Sequence, residues 1–296
     1  MNITRRAFLK HCAVCAGAIG LAPLGLGRLE AALTGKTAPT VIWLHGSGCQ
    51  GDSISFLNRI DPAADAGQQT VDDILINSID LAYHTVLMAS AGETAVAMAN
   101  EARGKGGYIL ALEGGVPRAV GGRTCQVWSH DDQKVTYEQA VIEFAADAQS
   151  IVCIGTCASF GGIPRSGPNP TDVVSVKEAT GKSVVNIPGC PAHPDWITWA
   201  IVQLILGNPI KLDVHNRPIA LYGRNLHDNC PRLNNSQATG FGQDNRCLLD
   251  LGCRGKTVSS DCWSRKWNNA VNWCVDCNGM CIGCTEPTFP GGDFYS

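Results

Sequence analysis

The chain has 296 residues, a net charge of −3 and 45% hydrophobic residues, which suffices for one large domain and a smaller one. This nearly balanced charge excludes a protein that binds nucleic acid through a basic surface. The cysteine content is unusual, because eight of the 15 cysteines lie between Cys230 and Cys284. Their spacing has to distinguish disulfides from metal binding.

The N-terminus has the layout of a twin-arginine export signal. Arg5 and Arg6 precede an uncharged stretch over residues 12–27, and a receptor reads such a segment, which is often removed. An ordinary membrane anchor is the alternative, but the apolar run is short and contains glycine and proline. We expect residues 1–34 to be a Tat signal and the protein to be periplasmic or on the outer face of the cytoplasmic membrane.

This export route carries folded proteins, so a cofactor can be inserted before export, which counts against disulfides. Cys12 and Cys15 lie within the expected signal and are not expected to be functional ligands. The C-terminus has no apolar run, so we expect no transmembrane anchor in the mature chain.

From residue 40 onward, apolar runs alternate with helical patterns. The sequence predicts strands over residues 41–45, 79–83, 108–113, 151–155 and 183–187, and helices over 53–60, 93–103, 138–148 and 195–206. We expect Asp195 to cap the last of these helices. The alternation predicts an α/β fold of the flavodoxin-like, doubly wound type over residues 38–207.

The segment over residues 208–296 has a different composition. It contains few apolar runs and many turn-forming residues, such as Asn234-Asn235 and Asn268-Asn269. Such a segment buries too little apolar surface to order itself, so it needs cross-links that its cysteines can supply. We expect a smaller, coil-rich second domain.

Three cysteines follow three predicted strands, each in a turn that contains glycine: Cys49, Cys157 and Cys190. Because the C-terminal ends of parallel strands share one edge of the sheet, we expect these thiols to meet in one crevice. Three converging thiols favour a soft metal site such as an iron–sulfur cluster. The alternative is three unrelated buried cysteines, which is the reading that we prefer for Cys153 inside its strand.

The fourth ligand of this group is open between two residues. Asp52 lies three positions after Cys49, where a Cys-x-x-Cys pair would place a thiolate, and iron accepts carboxylate oxygen. Cys125 approaches the same edge and is the rival. We favour Asp52 because it shares a tight turn with Cys49; an open iron site is the remaining possibility.

The C-terminal segment contains two further four-ligand sets. The first is His227, Cys230, Cys247 and Cys253, and the second is Cys262, Cys274, Cys281 and Cys284, with Cys277 as a spare thiol. Structural zinc would accept either set. The third thiol site in the first domain favours a row of redox centres instead. We expect the other histidines, among them His45, His84 and His193, to be hydrogen-bonded without a metal.

Together these residues resemble the small subunit of nickel-iron hydrogenases. The shared motifs cover nearly the whole mature chain: Trp43-Leu-His-Gly with Cys49, Gly155-Thr-Cys157-Ala-Ser-Phe-Gly-Gly162, Asn186-Ile-Pro-Gly-Cys190-Pro, His227-Asp-Asn-Cys230-Pro-Arg, Leu251-Gly-Cys253-Arg-Gly and Cys281-Ile-Gly-Cys284-Thr-Glu-Pro287. The resemblance implies a flavodoxin-like domain and a coil-rich iron–sulfur domain. It also implies an exported electron-transfer subunit whose large-subunit partner splits H2 at a nickel-iron site.

The resemblance assigns each ligand set to a cluster. Cys49, Cys157 and Cys190 would hold a proximal cluster that faces the large subunit, with Asp52 as the favoured fourth ligand. Cys262, Cys281 and Cys284 would hold the medial cluster, and the set of His227, Cys230, Cys247 and Cys253 would hold a distal 4Fe-4S cluster near the exit surface. A c-type or membrane cytochrome would accept the electrons.

The chain departs from the family at two ligand positions. Many members have proline where this chain has Cys274, which leaves a 3Fe-4S medial cluster, so the extra thiolate implies 4Fe-4S, as in the nickel-iron-selenium branch. Most members have cysteine at the position of Asp52; aspartate ligation occurs in a minority, oxygen-insensitive branch. Gly51 and Gly162 stand where oxygen-tolerant members carry two additional cysteines, so their six-cysteine cluster is not indicated.

We therefore expect three iron–sulfur clusters, all of the 4Fe-4S type, in an electron-transfer subunit that contributes no nickel ligands. Two other classes of protein stay open at this stage. One is a zinc-stabilised exported binding module, and the other is a cluster-bearing subunit of a different redox complex.

Overall fold

The structure is a computed structural model that describes residues 38–59, 70–71, 74–75, 79–130 and 133–291. The expected export signal lies outside the described residues, as does Ile60 at the end of the first predicted helix. Among the helices of the described part, none is long and apolar enough to span a membrane.

The described strands are, in chain order, β1 (Thr40–His45), β2 (Asp80–His84), β3 (Ile109–Glu113), β4 (Val116–Pro117), β5 (Gln126–His130), β6 (Gln133–Thr136), β7 (Ser150–Ile154), β8 (Val173–Val174) and β9 (Val185–Ile187). Five of them form a parallel sheet in the order β2-β1-β3-β7-β9. Counted within this sheet alone, the order is 2-1-3-4-5, which is the flavodoxin order. The predicted α/β fold with a doubly wound parallel sheet is confirmed.

Both faces of this sheet are buried, which explains why its strands are apolar throughout. In β1, Ile42 and Leu44 point into one core and Val41 and Trp43 into the other, as the two-residue period of a strand requires. All four side chains are at most 1% exposed.

The described α-helices are α1 (Gly51–Leu57), α2 (Gly92–Lys105), α3 (Tyr137–Asp147), α4 (Gly155–Phe160), α5 (Gly162–Arg165), α6 (Val176–Thr180), α7 (Pro194–Ile205), α8 (Ile219–Tyr222) and α9 (Cys262–Arg265). Helices α2 and α3 cover the core that contains Ile42, whereas α1 and α7 cover the core that contains Trp43. Helix α3 begins with a capping box between Thr136 and Gln139.

Two details differ from the sequence-based expectations. His193, not Asp195, caps α7, and its Nδ1 atom accepts the Asp195 backbone N–H at 3.0 Å. Pro194 occupies the first turn, where a backbone N–H has no acceptor within the helix, so the missing N–H of proline does not destabilise it. Cys157 lies inside α4 rather than in an open turn, because a helix begins directly at the end of β7.

Beyond α7 the described chain is mostly irregular, as expected. Its small core contains four apolar side chains and one cysteine: Leu226, Val258, Trp273, Val275 and Cys281. Cys230, Cys253 and Cys262 pack against this core. The expected ligand residues are therefore part of the little apolar packing that this segment has.

Candidate functional site

The loop that follows β1 is fixed to the end of β3. The Gly46 backbone N–H donates to the Glu113 carbonyl at 2.7 Å. A side chain at position 46 would lie 2.1 Å from the Tyr137 ring, so the close packing requires glycine. The loop then leaves Cys49 exposed at the C-terminal edge of the sheet.

The Glu113 carboxylate lies beneath this loop and accepts four hydrogen bonds. Its Oε1 atom accepts the backbone N–H groups of Asp52 and Ser53 at 3.0 and 3.2 Å. Its Oε2 atom accepts the Trp43 indole N–H at 3.1 Å and the Ser53 hydroxyl. Because the first N–H groups of a helix lack partners within the helix, a carboxylate at this place satisfies them and fixes the first turn of α1.

The Asp52 side chain is buried among backbone groups of the two neighbouring cysteine loops. Its Oδ1 atom accepts the Ala192 backbone N–H at 2.6 Å. A Cβ atom at Gly155 would lie 1.9 Å from Oδ2, so a glycine at position 155 is needed to make room for the carboxylate. Burial raises the pKa of Asp52 to about 8, Glu113 adds to the rise, and the Ala192 N–H opposes it.

Cys157 and Cys190 complete this proximal group, which we define as Cys49, Asp52, Cys157 and Cys190. Burial raises the pKa of the Cys157 thiol to about 12, and Asp52, Cys190 and Cys49 act on it in the same direction. Burial likewise raises the pKa of Cys190 to about 11, with Asp52 and Cys49 as its charged neighbours. Asp52 and Cys49 therefore both lie close to the Cys157 and Cys190 thiols.

Cys125, the rival fourth ligand, has different surroundings. It is half-buried and packs against the core that contains Ile42. Its backbone N–H donates to the Gly122 carbonyl, and its carbonyl accepts the Tyr137 N–H. It is not among the neighbours that act on the pKa of Cys157 or Cys190.

The medial group is Cys262, Cys274, Cys281 and Cys284. Burial raises the pKa of Cys262 well above its usual value, and Cys284 and Cys281 are among the neighbours that add to the rise. The Ser260 hydroxyl donates to the Cys262 sulfur at 3.3 Å. Cys274, unlike Cys262 and Cys281, is exposed. Cys274 in turn acts on the pKa of both Cys281 and Cys284.

The spare thiol, Cys277, is exposed one helical turn from Cys274. Its backbone N–H donates to the Trp273 carbonyl at 3.0 Å, which closes the turn between the two cysteines. Cys277 acts on the pKa of Cys274 and is therefore a neighbour of this member of the medial group.

The distal group is His227, Cys230, Cys247 and Cys253. All four residues line one small cavity, whose other walls include Leu226, Leu248, Leu249 and Val275. Burial raises the pKa of Cys230, the Arg232 backbone N–H opposes the rise, and Cys253 and Cys247 add to it.

The three groups form a continuous series. Between the proximal and medial groups, Cys190 acts on the pKa of Cys284. Between the medial and distal groups, Cys253 acts on the pKa of Cys281 and Cys274. The Arg254 backbone N–H also donates to the Cys281 carbonyl at 2.8 Å. Each group therefore lies next to the following one.

The donor set of the three groups fits iron–sulfur clusters. Ten of the twelve side chains are cysteines, and thiolate is the usual ligand of such clusters. The positive charge of a four-iron cluster would stabilise thiolates that burial disfavours.

Two glycines leave room beside the proximal sulfurs. A Cβ atom at Gly51 would lie 3.1 Å from the Cys49 sulfur, and one at Gly162 would lie 2.9 Å from the Cys157 sulfur. The space next to both sulfurs is thus kept free of side chains. These are the two positions at which the sequence lacks the additional cysteines of oxygen-tolerant proteins.

Sequence reasoning missed Glu113 and Thr156. Glu113 ends an apolar strand, where the sequence alone does not show whether an acidic side chain is buried or exposed. Thr156 is 1% exposed and its hydroxyl donates to the Cys284 carbonyl, 128 residues away. No local sequence pattern predicts that contact. The expected hydrogen-bonded histidines are found at His84 and His193.

Two family models match the chain. Residues 49–204 match the model described as the 20 kDa subunit of NADH ubiquinone oxidoreductase, and residues 222–295 match the C-terminal model of the NiFe/NiFeSe hydrogenase small subunit. The periplasmic [NiFeSe] hydrogenase small subunit of Desulfomicrobium baculatum is 37% identical, over 99% of this chain and 98% of that protein. The chain belongs to the family of nickel-iron hydrogenase small subunits.

Other members of the family support the assignment along the whole chain. The periplasmic [NiFe] hydrogenase small subunit of Solidesulfovibrio fructosivorans is 37% identical over 97% of this chain and 90% of that protein. The solved [NiFeSe] hydrogenase from Desulfovibrio vulgaris Hildenborough aligns with a TM-score of 0.80 and 37% identity, over 87% of this chain and 96% of that one. An actinobacterial-type NiFe-hydrogenase from Ralstonia eutropha H16 aligns with a TM-score of 0.75 and 29% identity, over 86% and 80% of the chains.

The family decides between the classes left open by the sequence. Its members are small subunits of oxidoreductases that act on H2, and they carry iron–sulfur clusters. The match to the hydrogenase C-terminal model covers the cysteine-rich segment, which the respiratory-complex model does not reach. This hydrogenase subunit is therefore neither a zinc-stabilised binding module nor a subunit of an unrelated redox complex.

Proposed function

We propose that this subunit carries electrons from H2 oxidation through three 4Fe-4S clusters to an external acceptor. The observation that carries the proposal is the continuous series of ligand groups. The Thr156 hydroxyl, next to Cys157, donates to the Cys284 carbonyl, and the Arg254 N–H, next to Cys253, donates to the Cys281 carbonyl at 2.8 Å. Direct hydrogen bonds thus join each group to the next. Such a series is typical of redox centres that pass one electron from each to the next. A structural zinc ion does not transfer electrons, so zinc sites need not form a series.

The proposed ligand sets are the three groups defined above. The proximal cluster would be held by Cys49, Asp52, Cys157 and Cys190, the medial cluster by Cys262, Cys274, Cys281 and Cys284, and the distal cluster by His227, Cys230, Cys247 and Cys253. Bound there, each cluster supplies a site that accepts and releases one electron. The chain supplies the ligands, their burial and the hydrogen bonds to their sulfurs.

Backbone N–H groups near the sulfurs support this role. The Ile163 N–H acts against the burial-driven rise in the pKa of Cys157, and the Gly283 N–H does the same at Cys281. Hydrogen bonds to ligand sulfurs stabilise the more negative, reduced state of a cluster and so raise its reduction potential. We infer that these N–H groups set the potentials along the series.

Asp52 is the proposed fourth proximal ligand. Its carboxylate is buried beside the Cys157 and Cys190 thiols, and it is held by an Ala192 N–H at 2.6 Å. Iron accepts carboxylate oxygen, although less commonly than thiolate. Coordination would also resolve the burial of a carboxylate next to Glu113, because iron supplies the missing positive charge.

We further propose that the large hydrogenase subunit covers the proximal end. Cys49 is exposed there, and two apolar side chains on the adjoining helices, Ile54 and Ile163, are 63% and 48% exposed. Exposed apolar side chains around a redox site are typical of a protein interface. The distal end would face a c-type or membrane cytochrome.

The proposed organisation keeps three segments: residues 1–34 as a Tat signal, 38–207 as the flavodoxin-like domain and 208–296 as the iron–sulfur domain. The D. baculatum and S. fructosivorans relatives are named periplasmic, which supports a periplasmic location for this chain too. The twin arginines at Arg5 and Arg6 support the Tat route.

The deciding experiment is metal and sulfide analysis of the purified complex. We expect a nickel-bearing partner subunit and, in this chain, about twelve irons from three four-iron clusters. A colourless protein loaded with zinc would overturn the proposal, as would purification without a nickel-bearing partner.

The proximal ligand is tested separately. Asp52→Cys should keep the iron content while changing the spectrum of the proximal cluster, because a soft sulfur replaces a hard oxygen. Cys125→Ser is the matched variant and should change neither. An unchanged spectrum in Asp52→Cys together with cluster loss in Cys125→Ser would identify Cys125 as the ligand.

A further inference from the structure

Thr156 connects the proximal and medial groups through its backbone and its hydroxyl. It lies in the first turn of α4, next to Cys157, and is 1% exposed. Its backbone N–H donates to the Gly189 carbonyl at 2.9 Å, and its hydroxyl accepts the Gly189 N–H at 2.9 Å. The same hydroxyl donates to the Cys284 carbonyl.

These contacts hold two ligand loops together. Gly189 directly precedes the proximal ligand Cys190, and Cys284 is a medial ligand. Thr156 therefore joins the backbone just before a proximal ligand to the backbone of a medial ligand through its own hydroxyl.

We propose that Thr156 is the positioning residue for electron transfer between the proximal and medial clusters. Its hydroxyl holds the Cys190 loop against the Cys284 loop and thereby sets the spacing between a proximal ligand and a medial ligand. In the transfer, one electron leaves the proximal site, which is oxidised, and enters the medial site, which is reduced. No covalent bond forms or breaks. The inference rests on the proposed function and identifies the residue that positions the proximal and medial ligand loops for the transfer.

The hydroxyl is the part of Thr156 that the role requires. Valine has nearly the same shape but would leave the buried Gly189 N–H and Cys284 carbonyl without this partner, which favours separation of the two loops. Serine keeps the hydroxyl and loses only a methyl group. Comparing these two substitutions separates hydrogen bonding from packing.

The test uses the complete hydrogenase with Thr156→Val, Thr156→Ser and, as a matched control, Thr198→Val. The Thr198 hydroxyl is also buried, but it donates to the Pro194 carbonyl within its own helix and joins no ligand loops. The readouts are iron content, the midpoint potential of the medial cluster from an EPR-monitored redox titration, and the rate of proximal-to-medial transfer after flash photoreduction.

In Thr156→Val we expect a slower transfer and a shifted medial potential, because the Cys284 loop loses the contact that holds it against the Cys190 loop. Thr156→Ser and Thr198→Val should match the wild type. A Thr156→Val protein with twelve irons and both wild-type values would overturn the inference but leave the proposed function intact. Iron missing from the wild type would overturn the proposed function itself.

A second variant covers the case in which Thr156→Val does not assemble. Thr156→Ala removes the same hydroxyl from a smaller side chain and should slow the transfer in the same way. Loss of medial iron from both variants, with retention in Thr156→Ser, would also support the role of the hydroxyl. A Thr156→Ser protein as altered as Thr156→Ala would show that the hydroxyl is not what matters.

Discussion

The Glu113 carboxylate accepts the Asp52 backbone N–H at 3.0 Å, so one buried carboxylate fixes the backbone that carries another. Glu113 pairs in register with His45 at the end of β1, which places it directly under the loop of the proximal group. The sheet thereby positions Asp52 through a side chain that itself need not contact the cluster.

Glu113→Gln is predicted to destabilise the protein by about 1.5–3 kcal/mol. The glutamine amide nitrogen is itself a donor, and it would face N–H and hydroxyl groups that now donate to the carboxylate. The measurement is urea-induced unfolding, followed by cluster absorbance. Glu143→Gln is the control, since Glu143 is more than half exposed and forms a surface ion pair with Arg103. Equal stability of the two variants would contradict the anchoring role of Glu113.

The sequence predicted the architecture that brings the proximal ligands together. The apolar strands and the glycine turns after them place Cys49, Cys157 and Cys190 at one edge, because parallel strands end there. Glu113 was not predicted, since an acidic residue at the end of a strand has the same pattern whether it is exposed or buried. The contact from Thr156 to Cys284 depends on how distant loops pack, which local periodicity does not encode.

Short helices were the least predictable elements for a similar reason. The helix that holds Cys157 spans only Gly155–Phe160, which is too short to show a helical period in its apolar residues. Its start is set by the end of β7 and by the positive φ of Gly155. Tertiary packing therefore decided the local structure there.

The acid stability of the protein should depend on His84, which is fully buried. Burial lowers the pKa of His84 to about 4 from its ordinary 6.5, and His45 acts in the same direction. Between pH 6.5 and pH 4, His84 is protonated in the unfolded chain but stays neutral in the folded protein. Stability should therefore fall as the pH falls through this range, by up to about 1.4 kcal/mol per pH unit for this one proton.

His84→Gln is predicted to make the acid slope shallower, although it also costs stability at neutral pH by disturbing the bonds to Ser53 and Val86. The measurement is the urea midpoint at several pH values between 5 and 7. His215→Gln, at a half-buried position, is the control. A variant slope equal to that of the wild type would exclude His84 as the titrating group.

Cys274→Ser is predicted to convert the medial cluster from four irons to three and to lower the iron content from about twelve to about eleven. Cys274 is among the largest influences on the pKa of both Cys281 and Cys284, and Cys277 is not. Cys277→Ser, three residues away in the same turn, should therefore keep all the iron. Iron analysis and EPR of the oxidised protein distinguish the two, and the reverse result would make Cys277 the ligand.

Arg217 connects the segment after α7 to the loop that follows Cys284. Its guanidinium donates to Asp213 at 2.8 Å, to Glu286 at 2.9 Å and to the Thr285 carbonyl at 3.0 Å, and Arg217 is only 4% exposed. Glu286 also accepts the Ser259 backbone N–H at 2.7 Å. One buried cation therefore keeps two carboxylates and a ligand loop in place.

Arg217→Met is predicted to cost about 3–5 kcal/mol of stability, because it removes the cation and leaves Glu286 buried without its charge partner. Arg118→Met is the matched control: its ion pair with Asp172 is exposed on both sides and should be worth about 0–1 kcal/mol. Urea unfolding measures both. If the two substitutions cost the same stability, the buried ion pair does not stabilise the loop. If Arg217→Met loses iron from the medial cluster before iron from the other clusters, Arg217 supports the loop after Cys284.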